Sequence, residues 1–248
     1  MTSRRLSLVS AAFAALFAAC SSDSATPVAP AEKLVIYGSA EAAPAAAVAR
    51  TAANLHEAFD GPSAAIDSAA PAKLDIAMYA LYLSKNENCT QPILVKSYGA
   101  SGQVKDFVAH PVLFEAEPEA GTYPCMIFRM SDVLSMVPSR SFGGCDAHTT
   151  YVGDIYRDGE TDWIDQDGNP IIGHGTDDAA GAVDDHVAIF FTVNPTAVLA
   201  RGVSEHQLVP LTNALVSPGH STLYWNMSGA VQSDGVYCGI EPRPITFR

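Results

Sequence analysis

Basic residues are scarce in this chain: 14 Lys and Arg stand against 27 Asp and Glu in 248 residues, a net charge of −13. That shortage excludes nucleic acid as a partner, because neutralising phosphates takes clustered Lys and Arg. It equally excludes adhesion to anionic headgroups by charge. A membrane-spanning run is also missing. The longest mostly apolar stretch, Leu6 to Ala19, is about fourteen residues, where a transmembrane helix needs roughly twenty. No two cysteines lie two to four residues apart, which removes a structural zinc site of four thiolates. There is no Gly-x-Ser-x-Gly elbow, no His-x-His pair and no internal repeat, so no complete catalytic motif is present.

What the chain does have begins at its N-terminus. Arg4 and Arg5 precede the apolar run, which ends in Ala18-Ala19-Cys20. Two cations followed by a run too short to span form an export signal. Leu16-Phe17-Ala18-Ala19-Cys20 resembles the lipobox of bacterial lipoproteins, with Phe17 where that pattern has a branched aliphatic residue and Leu displaced to position 16. The resemblance implies a diacylglyceryl group on Cys20 and cleavage before it, with residues 1–19 removed. Several acyl chains, at about 0.8 kcal/mol per buried methylene, make a stable anchor. The other reading is an ordinary secretory signal cut after Ala19. Residues 20–32 are polar and proline-spaced, as a tether between lipid and domain would be. Ser21 and Ser22 resemble lipoproteins sent to the outer membrane, if the source is a double-membrane bacterium.

The 229 residues that remain carry 12 basic and 27 acidic side chains, a net charge of −15. Four further cysteines, Cys89, Cys125, Cys145 and Cys238, lie in this exported part, where thiols oxidise, and two disulfides are expected. Four cysteines allow three pairings; Cys89 with Cys125 and Cys145 with Cys238 is the favoured one, the latter stapling the C-terminus to the body.

Periodicity sets the fold class as mainly β, an antiparallel β-sandwich over residues 33–248. Lys33 to Tyr37 reads as a first strand. Val48, Ala52, Leu55 and Phe59 fall on one face of a helix over residues 45–59, or else the stretch is an alanine-rich linker. From Lys73 to Leu83 the pattern alternates and becomes apolar on both sides, as in a strand inside a sheet. Ile93–Ser97, Val112–Glu115, Thr122–Met130, Thr149–Arg157, Val187–Val193 and Thr222–Ser228 read as strands between turn signals. Ala120 to Met130 resembles a late-strand opening in secreted prealbumin-like β-sandwiches, a likeness over residues 73–133 that implies a fold and no activity.

Candidate chemistry centres on Asp154 to Asp185, with ten carboxylates and one base, Arg157. Asp165, Asp167 and Asn169 alternate in a tight loop, an arrangement that can converge on calcium. Pro170 and Thr176 stand where an EF-hand needs Gly and Glu, so that motif is rejected. The same residues also make a β-hairpin, with Trp163-Ile164 and Pro170-Ile171-Ile172 as arms. His174-Gly175-Thr176 resembles the histidine motif of subtilisin-type proteases, but no matching serine motif follows. His174, Asp177 and Asp185 support an alternative as a metal-assisted hydrolase. The main expectation is an exported, lipid-anchored binding or structural module of the cell envelope, held at the membrane by acyl chains on Cys20.

Overall fold

The computed structural model describes residues 33–41, 67–154, 162–164, 167, 170–172, 186–203, 207–233, 235, 238–240 and 245–248. The helix expected over residues 45–59 lies outside them. Its two longest strands, β3 (Pro71–Ser84) and β8 (Cys125–Pro138), have 14 residues each. Ala77–Leu83 of β3 and Cys125–Phe128 of β8 are apolar on either side of the backbone, so these parts lie where two faces are covered. They pair antiparallel at the centre of the larger sheet.

The chain enters through β1 (Leu34–Ser39) and β2 (Asp67–Ala69) before β3. Then come β4 (Ile93–Ser97), β5 (Gln103–Asp106), β6 (Val112–Ala116) and β7 (Gly121–Tyr123). After β8 follow β9 (Tyr151–Asp154), β10 (Asp162–Ile164), β11 (Pro170–Ile172) and β12 (His186–Thr192). A short helix α1 (Pro195–Leu199) precedes β13 (Leu208–Pro210), β14 (Leu215–Ser217) and β15 (Gly219–Trp225). The last strands are β16 (Val231–Ser233), β17 (Cys238–Ile240) and β18 (Ile245–Phe247). The larger sheet has the order β13-β12-β8-β3-β4, with β5 also on β3 and β9 also on β8; a second has the order β18-β15-β1-β6. The architecture is mainly β and sandwich-like. Two pairings depart from antiparallel, β1 with β15 and β12 with β13.

Both partners of the central pair are interrupted. On the far side of β8, β12 runs beside Cys125–Ser131 and β9 beside Val133–Met136, both antiparallel to it. They lie end to end, as one strand line broken after Asp154 and resumed at His186. On the far side of β3, β4 runs beside Ala80–Leu83 and β5 beside Asp75–Met78. This second line is broken only by Tyr98–Gly102. Each break falls where β3 and β8 lose register: the three residues Ser131–Val133 of β8 oppose the single Ala77. Such a bulge bends the strand and ends regular pairing beside it.

Between the two sheets lies a wall of rings. Phe128 of β8 meets Phe191 of β12 at 4.7 Å and, from the opposite sheet, Phe114 of β6 at 5.1 Å. Phe191 in turn meets Phe247 of β18 at 5.5 Å. The outer face of the larger sheet has its own apolar cluster, Tyr82, Ile127 and Phe190 beneath Val198, Val203 and Leu208. Helix α1 supplies Val198; it starts with Pro195 behind Asn194, whose side chain accepts from Ala197 N–H at 3.2 Å, a favoured N-cap.

Two disulfides complete the framework. Cys89 and Cys125 have Cα atoms 5.3 Å apart and tie the loop after β3 to the start of β8; Cys145 and Cys238, at 4.9 Å, tie the segment after β8 to β17. This is the pairing favoured from sequence.

Candidate functional site

Along β8 the side chains of Cys125, Ile127 and Arg129 share the outer face, by the two-residue period of a strand. On β12 the same holds for Phe190, Ala188 and His186. The first members of each set pack in the apolar outer cluster; the last members leave it. Register places Ala188 beside Arg129 and His186 beside Ser131, so the outer face turns polar at the break in the β9–β12 line.

There the Arg129 guanidinium donates through Nη2 to Nδ1 of His186. A guanidinium has no acceptor, so in this contact Nδ1 is the accepting nitrogen. Tyr79 of β3 lies against the imidazole, ring centroids 3.8 Å apart. Tyr79 is itself 3 % exposed. Its place depends on Gly102, which has φ +61° and where a Cβ would stand 2.7 Å from the Tyr79 ring. One residue past Ser131, the bulge buries Asp132 to 1 % exposure. Gln207 separates this polar end from the apolar cluster, its Nε2 donating to the Ala188 carbonyl at 3.1 Å.

The break thus brings together a guanidinium, an imidazole and a phenol, with the buried Asp132 close by along β8. Pairing along this side of β8 ends at Asp154 and resumes at His186, and nine carboxylates fall in the sequence between them. The arrangement suits recognition of a polar ligand, with the ring stack and the Arg129 contact holding donors in place.

Of the residues singled out from sequence, Asp165 and Asn169 lie outside the described residues, as do His174, Asp177 and Asp185. Asp167 is exposed in the turn between β10 and β11, which pair as the expected hairpin. No group of three or more His, Cys, Asp or Glu able to hold a metal occurs among the described residues. His186 and His220 are on different sheets. His220 instead lines a cavity of about 600 Å³ with Asn213, Val216, Phe247 and Arg248. Tyr82 and Trp225 are buried in the two apolar clusters.

Sequence reasoning missed the Tyr79–Arg129–His186 group. Its members are 50 and 57 residues apart, and strand register alone joins them. Compared with family models, with curated proteins and with solved structures, the chain has no match.

Proposed function

We propose that this is an exported, lipid-anchored protein of the cell envelope, whose disulfide-stapled β-sandwich acts as a binding module. One observation carries the reading. The chain has five cysteines, four of which form the two disulfides, and the fifth is Cys20, at the end of the lipobox-like segment. An oxidised, even-numbered set suits a non-reducing compartment, and the odd cysteine stands where a lipoprotein carries its acyl chains.

With a net charge of −15 in the mature chain, attachment rests on those chains rather than on charge. In a double-membrane cell Ser21 and Ser22 favour the outer membrane. The polar end of the outer sheet face, around Arg129 and His186, is the recognition surface in this reading. Calcium is an expectation about Asp165, Asp167 and Asn169, of which only Asp167 is described.

The test is fractionation of cells expressing the full chain, with mass spectrometry of the N-terminal peptide. The expected result is a membrane-bound protein beginning at an acylated Cys20, and release of Cys20→Ser into the soluble fraction. An unmodified N-terminus with soluble native protein would reduce the segment to a secretion signal.

A further inference from the structure

The second broken strand line, β4–β5, carries a different set of charges. Lys96 pairs in register with Leu81 and Lys105 with Ile76, both residues of the central core. The two lysines therefore leave their strands on the face that fronts the smaller sheet. There β6 is an edge strand, and a groove of about 660 Å³ opens between it and β4–β5.

Tyr98, from the turn that breaks the line, floors this groove. Its hydroxyl donates to the Leu113 carbonyl at 2.7 Å, and its ring stacks on Phe114 with centroids 5.7 Å apart and planes 12° apart. Because Phe114 covers one face, the ammonium groups gather on the other face and its rim. Lys96 Nζ is 5.4 Å and Lys105 Nζ 5.3 Å from the ring centroid.

Such convergence is conspicuous in a chain with five lysines. Lys33 pairs with Glu115, Lys73 with Asp75 and Lys85 with Glu119. Among the described residues no carboxylate lies within ion-pair distance of Lys96 or Lys105. Of the groove's own carboxylates, Glu115 pairs with Lys33 and also feels the Lys96 charge, and Glu117 lies 4.0 Å from Lys33. Gln103 adds a neutral polar group. Burial, and then the Lys96 charge, hold the Lys105 ammonium below the ordinary lysine value, so the pair is held together against its own repulsion. One inward lysine guards an edge strand against pairing with another chain. Two meeting over one ring go beyond that need.

We infer that this groove binds a doubly charged oxyanion, a phosphate monoester, between Lys96 and Lys105 and over the Tyr98 ring, with inorganic sulfate as a dianion of the same shape. Two point-charge cations match two negative charges, and a half-buried site is screened less than open surface.

The test is an NMR titration of the full chain with inorganic sulfate, inorganic phosphate and acetate, against chloride at matched ionic strength. Sulfate and phosphate are expected to give saturable shifts at Lys96, Lys105 and Tyr98, with acetate about fivefold weaker for its missing charge. Lys96→Gln with Lys105→Gln should abolish saturation while the rest of the spectrum stays unchanged. Shifts that track chloride, acetate binding equal to sulfate, or undiminished binding in a folded double variant would each overturn the proposal. If the double variant fails to fold, the location and saturation of the shifts in the native chain decide. A further arm with phosphatidylglycerol vesicles separates a lipid headgroup from a soluble ester: a response to vesicles without one to sulfate or phosphate counts against it.

Discussion

The two broken strand lines flanking β3 and β8 are alike in backbone and different in content. Each follows a register shift in the central pair, and each gathers polar groups where the ladder stops. In the β4–β5 line five residues turn out and back, and two lysines converge on Tyr98. In the β9–β12 line 31 residues separate the two strands in sequence, and an imidazole and an arginine mark the gap. A bulge can thus gather polar side chains without a dedicated loop architecture: unpaired backbone and re-aimed side chains arise together. The length of chain between the paired strands and the kind of polar group are then free to differ.

The largest test removes what the lines share. Phe128→Ala opens a cavity beneath both, and a loss of about 3–5 kcal/mol in urea unfolding is expected; a loss under 1 kcal/mol would show that the sheets do not depend on this ring. A narrower test acts on the short break alone. Gly102→Ala forces a Cβ into the Tyr79 ring at a positive φ, with an expected cost of roughly 1–3 kcal/mol. Because Tyr79 also packs on His186, the His186 ring resonances should shift, and unchanged resonances would separate the two breaks. The smallest effect concerns pH. Lys105 is held below its unfolded value, so the folded state disfavours its proton, and the penalty is present below the folded value and relieved as pH rises through it toward the ordinary lysine range. The stability difference between the native chain and Lys105→Gln should therefore shrink on going from neutral to strongly alkaline pH, as read by melting temperature.

Legibility in the sequence followed the physics of burial. The β3 run was evident because it is apolar on both sides, and β4, β6 and β12 because turn residues bound them. The stretch from Thr122 to Met130 read as one strand, but it divides at Pro124, which has no N–H to donate to a ladder. Its second part then continues past Met130 to Pro138, because Ser131 and Asp132 look like a strand end when they are a bulge. Short strands such as β2, β13, β14 and β16 to β18 have three residues each, too few to show a period. Sequence allows three disulfide pairings and favours one without deciding it; the fold decides by bringing Cys89 to Cys125 and Cys145 to Cys238. Neither Tyr79–Arg129–His186 nor Lys96–Tyr98–Lys105 was visible as a set, since both exist only once register places separate strands side by side.

The gap between β9 and β12 also bears on what sets the length of chain between them. Val133 and Ser131, the partners of Asp154 and His186, are two residues apart along β8, a rise of about 7 Å. A single residue could bridge that distance, whereas 31 lie between the two strands in sequence. The pairing of β9 and β12 with β8 itself asks for no more than that one residue, so the length of the intervening sequence is set by something other than the topology of the sheet.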